Sequence, residues 1–417
     1  MRAEARVASV RPVSPPTVRS NIRALPRPAW FLFAGTLVNR FGSFVLTFLV
    51  LYMTQRGYSP AEAGAAASAY GAGALAASAL GGLMADRLGR RNTIATSMFC
   101  SAAAMLALSQ ARALWLILVL AAVTGLVSEL YRPASSALLA DLVPHERRVT
   151  AFAVYRFAIN LGFAFGPATA GFLAQRSFTL LFVGDALTSC AYGVIALVAL
   201  PEGQRVRAHE ERRGEALRTM RHDGPLIAFL VASLATAFVY LQMTSGLALH
   251  AHASGLSTAD FGLLMALNGI VITFCELPLT SVTQRLSPLP VMAAGQLLLG
   301  IGFGITALAH TLPALLATVS VWTLGEMVNA PVSSAYLAGL SPLRLRGRYA
   351  GAQSSTWGLA SVLAPGLGGV LFGIDEKLLW LTCFVLAAVA AAVLLLGPHR
   401  RPVAAEPEPA FATEFDS

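Results

Sequence analysis

Seven ionisable residues stand inside stretches that are otherwise apolar: Arg40, Glu129, Arg132, Arg156, Asp185, Glu276 and Glu326. A charge at the centre of a bilayer costs about 2.5–3.5 kcal/mol even on the lenient insertion scale, so residues in such places are functional candidates by default. Glu326 is the sharpest, in Leu324-Gly325-Glu326-Met327 with no basic residue within a helical turn. Burial disfavours the charged form of a carboxylate, which suits a group that loads and releases protons; the structural alternative is a carboxylate neutralised from a distant helix. Glu129 and Arg132 are spaced i,i+3 and share a helix face, as a local ion pair or as part of a gate. Arg156 could compete for Glu129, and Glu276 lies deep in its run beside Pro278. Arg40 follows Asn39 and could pair with a carboxylate or hold an anionic solute, and Asn329 is a polar candidate for the same cavity. Asp185 sits near one end of its run and reads as structural.

The elements that must position these residues are membrane spans. Charged residues make up 12% of the 417 residues and hydrophobic ones 56%, against roughly 25% charged in a soluble protein. Apolar runs of the ~20 residues needed to cross a bilayer recur, predicting spans near 29–53, 61–85, 92–110, 113–140, 149–174, 178–200, 225–250, 258–282, 289–309, 312–339, 347–373 and 377–397. The expected fold class is all-α and polytopic, with twelve helices in two pseudo-symmetric six-helix bundles. Residues 1–28 are expected as a disordered arm, 29–200 as the N-terminal bundle, 201–224 as a linker, 225–397 as the C-terminal bundle and 398–417 as a disordered tail. The four cysteines lie singly inside apolar runs and read as small buried hydrophobes.

Arginine placement predicts the orientation. With the N-terminus inside, 23 arginines fall on cytoplasmic segments and only Arg56, Arg112 and Arg176 outside, the bias that fixes topology. The expected location is the cell inner membrane with both termini cytoplasmic. The net charge of +9 is spread over loops beside spans, which excludes a nucleic-acid partner.

A shift of 198 residues lays 133–148 (PASSALLADLVPHERR) on 331–346 (PVSSAYLAGLSPLRLR), with nine of sixteen positions identical. Leu161, Pro167 and Gly171 likewise meet Leu359, Pro365 and Gly369. Two like halves joined by one long loop is the layout of transporters whose substrate sits between the halves.

Between spans 2 and 3 stands Gly82-Leu83-Met84-Ala85-Asp86-Arg87-Leu88-Gly89-Arg90-Arg91. Gly82 permits close helix approach and Gly89 a tight turn, while Asp86 with Arg87, Arg90 and Arg91 forms a charged latch. The segment resembles the signature loop of the major facilitator superfamily. In that family the loop Asp acts with an acidic residue ending helix 4, whose place Asp141 takes. The second-half counterpart, Thr280 to Leu289, has Gln284 and Arg285 but no acid. Span 5 carries Gly162-x-x-x-Gly166-Pro167-Ala168-Thr169-Ala170-Gly171, similar to the antiporter motif of drug/proton exchangers. Small residues let helices pack closely, and span 11 ends in a like sequence, so packing explains the motif as well as antiport does.

Asn39-Arg40 in span 1, Glu129-x-Tyr131-Arg132-Pro133 and Asp141-Leu-Val-Pro in span 4, and Gly325-Glu326 in span 10 resemble the LmrP-type multidrug/proton antiporters. The resemblance implies Asp86, Asp141 and Glu326 as the carboxylates linked to coupling; Glu129 and Glu276 join them on their position. That family's mid-helix-4 arginine has no counterpart near Val127. The expected function is proton-coupled efflux of a small amphiphilic or cationic molecule by a monomer, with no cofactor and no metal beyond the proton gradient. The alternative is a symporter importing a sugar, peptide or organic acid. Nothing resembling a nucleotide loop, metal spacing or nucleophile–base pair points to an enzyme.

Overall fold

A computed structural model describes residues 18–144, 147–202, 219–342 and 345–398. Twelve helices cross the molecule: α1 Arg27–Gln55, α3 Arg90–Gln110, α4 Leu114–Leu142, α5 Arg148–Arg176, α6 Phe178–Ala199, α7 Gly224–Ala253, α8 Thr258–Thr283, α9 Pro288–Leu308, α10 Leu312–Leu340, α11 Arg346–Ile374 and α12 Glu376–Leu396, with α2 as Pro60–Leu88. Eleven of these are long and apolar enough to cross a membrane; α2, rich in Ala and Gly, is long enough and lies among them. Large side chains such as Val198 and Leu277, about four-fifths exposed, clothe the outside, whereas buried helix faces carry many alanines and glycines. That is how packed helices in lipid are built, apolar outward and small inward. Most of the expected arm, linker and tail lies outside the described residues. The described part of the arm holds a short helix, Val18–Arg23, and Arg147 donates to the Ala24 carbonyl at 3.3 Å.

Helix neighbours divide the spans into two sixes. In the first half α1 packs on α5 and α6, α2 on α4, and α3 on α6; in the second, α7 packs on α11 and α12, α8 on α10, and α9 on α12. The 198-residue shift also governs local structure. Gly57 and Gly255 both adopt positive φ, and Ser59 and Ser257 form capping boxes with Glu62 and Asp260 that start α2 and α8.

Three helices expected as continuous are broken. α1 is interrupted at Gly42–Ser43, α4 at Leu130 and α7 at Gln242–Ser245. In α4 the break lies beside the Glu129 carbonyl, which Pro133 leaves without its helical amide; the counterpart Pro331 is accommodated inside an unbroken α10. In α1 the second piece is capped from outside, the buried Asp185 of α6 accepting the Val45 amide at 3.3 Å. That is the structural role expected of Asp185.

The halves meet along two seams, α2 against α11 and α5 against α8. A methyl group at Gly64 would run into the Pro365 carbonyl and Gly369, and one at Gly262 into the Pro167 carbonyl and Gly171. The two seams thus repeat one contact, glycine on a Pro-x-x-x-Gly segment. Thr258 donates to the Gly171 carbonyl at 3.0 Å and the Gly366 amide to Ser68 at 2.8 Å. All these contacts lie towards one end, the far end, opposite the Gly82–Arg91 loop. At the loop end Gly82, Gly347 and Gly351 face open space. The molecule is sealed at the far end and open at the loop end.

Candidate translocation site

Two cavities meet in the middle of the molecule. One, about 230 Å³, lies within the second half and is lined by Ser233, Thr236, Gln296, Asn329, Gln353 and Trp357 among others. The other, about 220 Å³, lies between the halves: the first half contributes Arg40, Arg132, Arg156 and Asn160, and the second Asn268 and Glu276. Glu326 and Tyr240 line both, so the Glu326 carboxylate stands in the wall shared by the two spaces.

Behind the first-half wall, Glu129, expected in the cavity but lining neither space, is the hub of two cavity arginines. Arg132 Nη1 donates to its Oε2 at 2.9 Å, and Arg40 Nη2 lies 3.5 Å from its Oε1. The breaks in α1 and α4 aim these groups, since Arg40 sits just before Gly42 and the Leu130 interruption separates Glu129 from Arg132. Arg40 also lies over the Tyr131 ring, 5.6 Å from its centroid, while its Nε and Nη2 make no hydrogen bond. The Arg40 side chain lines the cavity between the halves, where a guanidinium attracts carboxylate or phosphate oxygens.

On the second-half wall, Glu326, midway along α10, accepts from Asn268 Nδ2 at 3.0 Å. Asn268 also donates to Thr323 at 3.1 Å, one turn before Glu326. Tyr240, two residues ahead of the α7 break, lines the same two cavities as Glu326. The hydrogen bond to Glu326 thus comes from a neutral donor. Glu276 lies 3.7 Å from Arg156 of α5, an ion pair across the seam; Arg156, expected as a competitor for Glu129, faces the other half instead.

The loop end carries the latch. Gly89 has φ 86° and alone joins α2 to α3, a backbone turn that favours glycine. Arg90 pairs with Asp141 of α4, and Arg91 Nη2 with Glu202 at 2.9 Å. Asp86 and Arg87 are exposed, with Asp86 close enough to act on the Arg90 charge. Neither ion pair reaches the second half: Arg90–Asp141 stays within the first, and Arg91–Glu202 ties it to the start of the linker. Gly82, expected at a close approach, has nothing near it; its neighbour Gly81 takes that place, packing on Leu130 and Pro133 of α4.

The remaining expected residues divide. Gly162 and Gly166 pack on Arg40 and Phe41 of α1, whereas Pro167 and Gly171 form the α5–α8 seam. Asn329 lines the second-half cavity with its buried Oδ1 unpartnered. Asn39 was expected in the cavity, but its side chain turns away and donates to Met98 Sδ at 3.4 Å and Ser189 Oγ at 3.5 Å. Adjacent residues on a helix face about 100° apart, so Asn39 and Arg40 could not both face the cavity. Asn160 and Gln296 escaped notice because neutral polar residues inside an apolar run raise no signal as a charge does.

Two bundles related by an internal repeat, with charged groups converging on a central cavity, define a membrane transporter for small molecules. The sequence model of the Major Facilitator Superfamily matches residues 32–275 and 247–416. The chain belongs to that superfamily. It is 27% identical over 381 residues, 88% of this chain and 91% of the relative, to the uncharacterized MFS-type transporter YqjV of Bacillus subtilis. The Na(+), Li(+), K(+)/H(+) antiporter of Planococcus maritimus is 23% identical, with 70% and 77% covered. Multidrug resistance protein 1 of Bacillus subtilis is 24% identical, with 77% and 83% covered. Among solved structures, a point mutant of the nucleoside transporter NupG superposes with a TM-score of 0.77 at 16% identity, covering 88% of this chain and 99% of that one.

Proposed function

We propose that the protein exports a small amphiphilic or cationic molecule in exchange for protons, by alternating access between the state open at the loop end and one open at the far end. The observation that carries the reading is the place of Glu326, a carboxylate held by the neutral Asn268 in the wall of both cavities. Such a group exchanges a proton for a cationic solute without leaving a partner charge stranded. With the arginine-rich loop end in the cytoplasm, this conformation is inward-facing, ready to load solute from inside. The names of two relatives, a cation/proton antiporter and a multidrug resistance protein, accord with efflux of the LmrP type. The first-half latch then works as the cytoplasmic gate, and Asp86 and Asp141 link gating to protonation.

A second reading has its own observation. Arg40, a guanidinium lining the cavity between the halves, would hold an anionic solute, as in proton-coupled import of an organic acid. Everted vesicles separate the two. Efflux predicts that an inward-acid gradient drives accumulation of lipophilic cations from an ethidium-led panel and that solute addition alkalinises the lumen. Uptake of organic anions into right-side-out vesicles, driven by external acid, would refute efflux.

A further inference from the structure

At the far end of the second half, remote from both cavities, three segments bring together residues that are 60 and 66 positions apart in sequence. His250 ends α7, His310 lies in the turn between α9 and α10, and Glu376 opens α12; one ligand atom from each lies within 4.8 Å of the others. His250 is fully buried, Glu376 partly so and His310 exposed, so the group sits at the surface with its innermost member fixed.

The hydrogen bonds around His250 assign its two nitrogens. Nε2 lies 2.7 Å from the Ala309 carbonyl, which only accepts, so Nε2 carries the hydrogen. The Trp380 indole, which only donates, reaches Nδ1 at 3.3 Å, so Nδ1 presents a lone pair. The same Nδ1 lies 2.5 Å from Glu376 Oε1, which is buried without a hydrogen-bond donor, so a cation taken up there would displace the long Trp380 bond. The His310 ring stacks on His250 with centroids 5.2 Å apart and offers the third ligand from the solvent side. Lone pairs of an imidazole and a carboxylate that converge like this repel unless a cation is held between or beside them. A ring nitrogen freed for a metal by an N–H···O=C bond on its other side is the usual second-sphere arrangement of a metal-binding histidine.

We propose that His250, His310 and Glu376 form a binding site for a zinc-type divalent cation that ties together the far ends of α7, α9–α10 and α12. Two imidazoles and a carboxylate, with water completing a tetrahedron, suit Zn²⁺. Spacing of the three atoms to roughly 3.3 Å, as Zn–ligand bonds of about 2.0 Å require, takes only side-chain rotation, because two of the three residues are not fully buried. All three belong to one half, so the cation braces that half and leaves the rocking of the halves free. This distinguishes the site from the cavity and from any coupling cation, and it holds whichever way the transporter works.

The test uses the full-length protein purified in detergent and stripped with a chelator, with ZnCl₂ as the probe. Isothermal titration is expected to give one equivalent bound, with quenching of Trp380 and a rise in unfolding temperature. The surface variant His310→Ala and the near-isosteric Glu376→Gln are each expected to weaken Zn²⁺ binding about tenfold or more and to abolish the temperature rise. Their apo forms are expected to unfold near the wild-type temperature, which excludes a general loss of fold. No stoichiometric Zn²⁺ binding by the wild type would overturn the proposal and leave a proton as the shared cation. Variants that bind Zn²⁺ as the wild type does would also overturn it.

Discussion

The repeat sets Ser128 of α4 opposite Glu326 of α10, and Tyr70 of α2 opposite Asn268 of α8. Both pairs are hydrogen-bonded, Tyr70 to Ser128 at 2.8 Å and Asn268 to Glu326 at 3.0 Å. The two halves therefore keep one polar helix–helix contact and differ in what fills it, a hydroxyl in the first and a carboxylate in the second. The first half's own carboxylate, Glu129, is one residue further on and is tied to two arginines. A carboxylate clamped by guanidinium groups is held charged, whereas one held by neutral donors can be charged or protonated without stranding a partner. On the proposed reading, proton exchange at the cavity therefore belongs to Glu326 of the second half rather than to the arginine-paired Glu129 of the first.

The largest expected effect tests the symmetry beneath this contrast. Gly64→Val and Gly262→Val each drive a side chain into the opposing Pro-x-x-x-Gly segment. Overpacking of about 1–3 kcal/mol shifts a two-state equilibrium by about fivefold to more than a hundredfold. Both variants should lose most transport, and cysteines placed at the far end should gain reactivity. Loss in one variant alone would break the pseudo-twofold account.

Next, Glu129→Gln leaves Arg40 and Arg132 unneutralised and should destabilise the protein by up to about 3 kcal/mol, below the full penalty of breaking a buried pair because Arg132 is more than half exposed. Glu326→Gln strands no charge and should leave the unfolding temperature unchanged or raise it. Thermal unfolding in detergent reads both, and equal destabilisation would erase the distinction between the walls. A smaller effect belongs to the latch, which only the first half keeps. Asp141→Asn removes the Arg90 partner and should cost about 1 kcal/mol, whereas Arg285→Ala, in the half without the acid, should cost nothing measurable. Least of all, Ser59→Ala and Ser257→Ala each remove a helix cap and should cost about 1 kcal/mol or less, equally in the two halves.

Much of the architecture was legible in the sequence because hydropathy and repetition are local signals. The runs of apolar residues placed the spans, and the 198-residue shift placed Pro167 and Gly171 opposite Pro365 and Gly369. The latch loop was readable because the Gly89 turn and its charges are contiguous. Pairing was not. That Arg156 meets Glu276 rather than Glu129 depends on how α5 docks on α8, and nothing within either segment encodes it. Asn39 was misplaced because its neighbour's charge drew attention to a helix turn of which only one face meets the cavity. The helix break at Gly42 was invisible for a related reason, since its cap comes from another helix, Asp185 of α6; at the α7 break Thr244 and Ser245 donate to the Leu241 carbonyl, while Gln242 reaches across to the Ala364 carbonyl of α11.

The central claim is that Glu326 is the exchangeable carboxylate, and proteoliposomes test it most directly. Wild type and Glu326→Gln would be compared for solute flux driven by a pH gradient and for solute exchange without one. The account predicts that Glu326→Gln loses pH-driven flux at least tenfold while exchange persists, since the cavity, the seams and the first-half ion pairs are untouched. Undiminished pH-driven flux in Glu326→Gln would contradict it.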